Sequence, residues 1–226
     1  MALAYYFDQA FPEVTGLHEP KPSRILRILS NLYFAGIVNR NFMRTALRFS
    51  RRRLLHRIST PLYLESNPFL FGFIDVLDEL APDTRVIHVV RHPLSYIESH
   101  MKFGFFNLLK RMTPFWMTKP DWDSFGDGSR WGDMTAEEKL AYRWCRINKE
   151  LERGERIYGD SYCIVRFEDL FNNGSSGLRT ISEHLGLPFN DRLVDLARQP
   201  VNISPDANNG TLGTKASSHE WTEYQI

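Results

Sequence analysis

The sequence has no apolar run approaching the roughly 18–20 residues that cross a bilayer. Its start, MALAYYFDQAFPEV, lacks the basic stretch and small-residue cleavage site of a secretory signal. Only two cysteines occur, Cys145 and Cys163, far apart. They make neither a disulfide framework nor a metal-ligand spacing, and His56, His100 and His184 add none, so no metal is expected. Net charge is only +1, which provides no global attraction to nucleic acid. Nowhere is there a Gly-x-x-x-x-Gly-Lys-Ser/Thr loop. Together these absences point to a cytoplasmic protein without a transmembrane segment, with no nucleic acid as partner.

What is present is enough for one sizeable core. The chain has 226 residues, 42% of them hydrophobic, so a single domain over 1–226 is expected. Helical periodicity runs through residues 2–10, 23–34, 39–57, about 69–80, from Pro93 onward, and about 135–157. Strand patterns lie in PEVTGLHE, TPLYLE, 85–90 and SYCIVRFE. A further helix over LRTISEHLGLP is stopped by Gly186, with Pro188 beyond. Strands alternating with helices imply an α/β fold, a mostly parallel sheet flanked by helices. Residues 104–134 carry aromatics, Trp116 among them, between Gly, Pro and Asp. They read as a lid or acceptor-side wall, or as local packing. The segment 200–226 reads as an irregular tail.

The stretch VIHVVRHPLSYIESH (86–100) joins a buried strand directly to a helix through Arg91. In parallel sheets ligands bind at the C-terminal strand ends. Pro93 suits the first helical position, and the free N–H groups there favour an anion. Ser95 and Ser99 share a helical face. A phosphate site is one reading; an arginine paired with a carboxylate is the other. Trp144 and Asn148 share a face of the later long helix and read as core or scaffold rather than catalytic.

Two stretches, RVIHVVRHPLSYIES and IVRFEDLFNNGSSGLRTISEHLGLPF, together resemble the sulfotransferase family that uses 3′-phosphoadenosine 5′-phosphosulfate (PAPS) as sulfuryl donor. The resemblance spans roughly residues 10–190 and implies a P-loop-like α/β architecture. It implies that Arg91 and Ser99, at the family's Arg-x-Pro and the serine eight positions on, hold the donor's 3′-phosphate. Phe167, where the family usually has tyrosine, would lie against the adenine. Lys215, in a tail where the family often supplies basic contacts, is a further donor-binding candidate, or part of an unstructured tail. Ser66 stands where the family commonly has the lysine of Glu-Lys-x-Pro. The family's Gly-rich phosphosulfate loop and the strand before it are absent from this sequence. They are expected in the frame upstream of Met1, and the 226-residue chain expressed alone is expected to be poorly soluble or inactive.

The reaction so implied is sulfuryl transfer to a hydroxyl or amine, with a carbohydrate as the acceptor. FPEVTGLHEPK resembles the family segment that carries a glutamate base. This makes Glu19 the first choice for the base and His18 the second, unless Glu19 merely pairs with Lys21 or Arg24. Two alternatives stand beside this enzyme. One is a degenerate module that binds an anionic glycan or nucleotide without turnover. The other is a nucleotide kinase of related fold, for which the Walker lysine is missing.

One further pattern is independent of any family. Between Pro20 and Leu64 there is no acidic residue, and Arg40, Arg44, Arg48 and Arg52 recur every four residues. This helix could be a solvated face, a membrane or nucleic-acid contact, or a docking surface for an anionic acceptor. In the last case Arg44 and Arg48, with Trp116, would bind substrate. Its aromatics are sparse, only Phe42 and Phe49.

Overall fold

The computed structural model describes residues 3–102, 133–171 and 175–198. Most of the lid segment, including Trp116, and the tail with Lys215 lie outside the described residues. The elements follow as α1 (Leu3–Ala10), β1 (Val14–His18), α2 (Ser23–Phe34), α3 (Arg40–Leu55) and β2 (Leu62–Ser66). A 3₁₀ segment, Pro68–Glu79, leads to β3 (Val86–Val90) and α4 (Pro93–Lys102). The long α5 (Ala136–Tyr158), β4 (Tyr162–Arg166), α6 (Ser176–Leu185) and α7 (Asp191–Arg198) complete the order.

The strands form two parallel pairs. β1 runs beside β2 with Val14 opposite Leu62, and β3 beside β4 with Val86 opposite Tyr162. The expected sheet is thus parallel but divided, and no described strand joins β2 to β3. Both pairs still serve one core. Val14, Leu62 and Leu64 of the first pair and Ile87, Val89 and Val165 of the second pack with Phe7, Leu178, Ile181 and Leu193 of α1, α6 and α7. A second core lies between α2, α3 and the 3₁₀ segment, built from Leu26, Met43, Leu47, Phe73 and Val76.

Where α1 crosses β1 the backbones nearly touch. A Cβ on Gly16 would lie 1.9 Å from the Ala4 carbonyl oxygen, and the Gly16 N–H donates to Asp8 Oδ1 at 2.9 Å. Gly16→Ala is therefore expected to cost at least about 1–3 kcal/mol through overpacking against backbone. Urea unfolding measures it, and an unchanged midpoint would contradict the close approach.

The segment 68–79 winds as 3₁₀ rather than the expected α-helix. Ser30, fully buried on α2, explains it locally. Its hydroxyl donates to the Phe69 carbonyl at 2.7 Å and accepts from the Gly72 N–H at 3.3 Å. A side chain from another helix has entered the ladder and bridges an i, i+3 pair.

α5 begins in a complete capping box between Thr135 and Glu138. It then fastens to the second strand pair through buried polar groups. His88 on β3 is 3% exposed. Its Nε2 donates to Asn148 Oδ1 at 2.9 Å, since the Asn148 amide nitrogen is donating to the Trp144 carbonyl at 2.7 Å. The Tyr162 hydroxyl lies 2.8 Å from His88 Nδ1. Burial holds His88 below the ordinary histidine value, with the Asn148 contact and the Glu152 charge pulling the other way. The unfolded chain therefore takes up this proton first as pH falls. The stability His88 protects is complete above about pH 6.5 and declines below it. Thermal melts from neutral to mildly acid pH should show this slope, and His88→Gln should flatten it. An equal slope in both proteins would sink the assignment.

Candidate active site

β1 ends at His18, and the next residue turns sharply. Glu19 has φ of +46°, in the left-handed region. A non-glycine residue held there costs about 1–2 kcal/mol, and such strain concentrates at functional positions. What holds it is the neighbouring strand end. The Glu19 N–H donates to the Ser66 carbonyl at 3.0 Å, and His18 Nδ1 donates to the same oxygen at 3.0 Å. A carbonyl only accepts, so the proton of neutral His18 sits on Nδ1 and the lone pair on Nε2. That Nε2 lies 3.7 Å from Glu19 Oε1, with both side chains about one-third exposed. Burial lowers His18 below its usual value, while Glu19 and the Ser66 carbonyl oppose that shift. Two basic atoms thus face the same small volume, reachable from solvent. Neither Lys21 nor Arg24 forms an ion pair with Glu19 among the described residues.

The end of β2 is braced from α3. Arg51, fully buried, reaches Glu65 through two hydrogen bonds, of 2.7 and 2.5 Å. Tyr63 and Asn67 also donate to this carboxylate, at 2.8 and 2.7 Å. A buried fork of this kind is costly to break from one side. It fixes the backbone at Ser66, and hence the turn at Glu19.

At the ends of β3 and β4 the two quoted stretches meet. The Arg91 guanidinium lies over the Phe167 ring, 5.0 Å from its centroid. Burial draws Arg91 below the ordinary guanidinium value, while Glu168 and Glu98 act in the opposite direction. No ion pair reaches it among the described residues, and its Nε is buried without a hydrogen-bond partner. Ser95 and Ser99 are half-buried on α4. The Arg91 carbonyl accepts from Trp144 Nε1 at 2.8 Å, so Trp144 and Asn148 both secure β3, the scaffold role their spacing suggested. Glu168 occupies part of the expected anion position: its Oε1 accepts the His92 N–H at 3.0 Å. That contact joins residues 76 positions apart and has no local signal in the sequence.

The four-residue arginine stripe does not present a single face. Each step of four advances about 40° around a helix of 3.6 residues per turn, so the stripe drifts from the core edge into water. Arg40 donates to the Asp75 carbonyl at 2.7 Å and Arg44 pairs with Glu79 at 2.7 Å. Arg48 and Arg52 are exposed. No hydrogen bond or ion pair among the described residues links Arg44 or Arg48 to His18, Glu19 or Arg91.

No group of side chains among the described residues could hold a metal ion, and no described helix is long and apolar enough to cross a membrane. No curated protein matches the sequence. Among solved structures, this chain is similar to the sulfotransferase domain from the curacin biosynthetic pathway, with 16% identity and a TM-score of 0.46 over 70% of this chain and 48% of that one. The chain therefore spans about half the length of that structure. The profile described as "Sulfotransferase family" matches residues 7–191. That span contains the last turn of α1, both strand pairs and the residues that converge at their ends, and on this match the chain belongs to the sulfotransferase family.

Proposed function

We propose that the protein transfers a sulfuryl group from PAPS to a hydroxyl acceptor, with a carbohydrate as the acceptor class. The observation that carries the donor side is Arg91, a half-buried guanidinium over the Phe167 ring whose buried Nε lacks a hydrogen-bond partner. A phosphate oxygen would satisfy that donor through a charge-assisted bond. Arg91 and Ser99 would hold the 3′-phosphate. Phe167 would offer ring surface to the base beside Arg91.

PAPS, when bound, supplies the sulfuryl group and departs as adenosine 3′,5′-bisphosphate. This chain's residues orient the acceptor and handle its proton. A hydroxyl entering beside His18 Nε2 and Glu19 Oε1 meets two proton acceptors, and we assign the base to Glu19, with His18 second. The strained turn and the shared Ser66 carbonyl keep both aimed outward.

The test is calorimetric titration of the chain with adenosine 3′,5′-bisphosphate, then with ATP, followed by turnover with PAPS and a mixture of carbohydrate acceptors. Binding of the bisphosphate without competition from ATP, together with sulfated product, supports the assignment. Preference for ATP would turn the reading to the kinase. Bisphosphate binding without product under any acceptor would favour the non-catalytic module.

A further inference from the structure

α3 turns two aromatic side chains into water. Phe49 is 85% exposed and Phe42 51%, although the helix has its own buried face in Met43, Leu47 and Arg51. At about 100° per residue, Phe42 and Phe49 lie about 20° apart, on the side opposite that buried face. Arg48 and Arg52 flank the pair on one side and Arg53 on the other, with Arg57 just past the helix end. All four arginines are exposed. None of their side chains has a hydrogen bond or ion pair among the described residues, whereas Arg44 and Arg51 take Glu79 and Glu65 from other elements. With no carboxylate between Pro20 and Leu64, nothing in this segment neutralises them. Ile37, 66% exposed in the turn before α3, adds apolar surface.

The arrangement is an apolar centre with a cationic rim. A polyanionic glycan or a single-stranded nucleic acid would satisfy the guanidiniums and could stack on the two rings, but would leave the exposed Ile37 side chain against water. A bilayer surface satisfies the charged and the apolar groups alike, because rings enter the boundary between headgroups and acyl chains while guanidiniums meet lipid phosphates. We propose that this face of α3 docks the protein on an anionic lipid surface. The surface is separate from the strand ends that carry the proposed reaction, and the inference does not depend on that reaction.

Co-sedimentation of the full chain with phosphatidylcholine vesicles, with and without phosphatidylglycerol, tests it. Binding is expected only to the anionic vesicles and should weaken as salt rises. Phe42→Ser with Phe49→Ser, and separately Arg52→Glu with Arg53→Glu, should each lower partitioning by roughly tenfold or more. Because all four side chains face solvent, melting temperatures should stay unchanged, and these are measured alongside. Equal binding to neutral and anionic vesicles would overturn the proposal. So would two folded variants that bind like the parent, or a parent that ignores both vesicles and is retained by heparin or DNA.

Discussion

Glu19→Gln is expected to lower turnover by roughly 10²- to 10⁴-fold while leaving adenosine 3′,5′-bisphosphate affinity unchanged. Glutamine preserves the shape and the backbone bond to Ser66, but it cannot take a proton. The strained backbone supplies a second variant with a different signature. Glu19→Gly also removes the carboxylate, yet glycine accepts a φ of +46° without penalty. Relief of about 1 kcal/mol or more should offset the added flexibility of the unfolded chain. Melting temperature should therefore hold or rise while activity is lost. A purely structural glutamate would give the reverse pairing. If His18→Ala abolishes turnover and Glu19→Gln does not, the base is His18, whose Nε2 lone pair occupies the same volume.

Arg91→Ala should weaken bisphosphate binding by roughly 10- to 150-fold, the equivalent of losing a charge-assisted hydrogen bond of about 1.5–3 kcal/mol. Ser99→Ala removes a neutral partner, about 0.5–1.5 kcal/mol, and should cost only about 2- to 12-fold. The ordering is as informative as the magnitude. Arg91 is already partly desolvated in the folded protein, so part of the cost of burying a guanidinium is met before any ligand arrives. Calorimetry with the bisphosphate reads both values. Unchanged affinity in Arg91→Ala would remove the basis for placing the donor at this strand end.

Much of the frame was legible because it is local. The apolar runs of β3 and β4, the proline that opens α4 and the glycine that closes α6 are each readable within ten residues. Gly186 does adopt the left-handed conformation, φ +72°, that such a stop requires. What escaped reading depends on distant partners. The 3₁₀ winding at 69–72 is bridged by the hydroxyl of Ser30, some 40 residues earlier. The division of the sheet into two pairs is a matter of register that periodicity does not encode. α7 was missed for another reason. Asn190 caps it by accepting the Leu193 N–H at 2.9 Å, but its eight residues are too few to stand out beside an irregular tail. At the site, the residue types were visible one by one. Their convergence was not: the bracing of Ser66 by Arg51 and Glu65, and the hold of Glu168 on His92, each need the fold.

The two strand pairs also determine how the chain must search for its native state. Val14 meets Leu62 across 48 residues, and Val86 meets Tyr162 across 76. Closing the longer loop costs only about 0.4 kcal/mol more than the shorter, because that entropy grows with the logarithm of length. Loop length therefore does little to order the two events. The first pair can assemble through α2 and α3, whose packing is nearly local. The second is expected to form only once α5, which its own capping box helps to start, places Asn148 and Trp144 at β3. Parallel pairings of this span give high contact order, so refolding on the millisecond-to-second scale is the natural regime. A late step should align the ends of β3 and β4, making the edge proposed to bind the donor among the last parts of the molecule to become ordered.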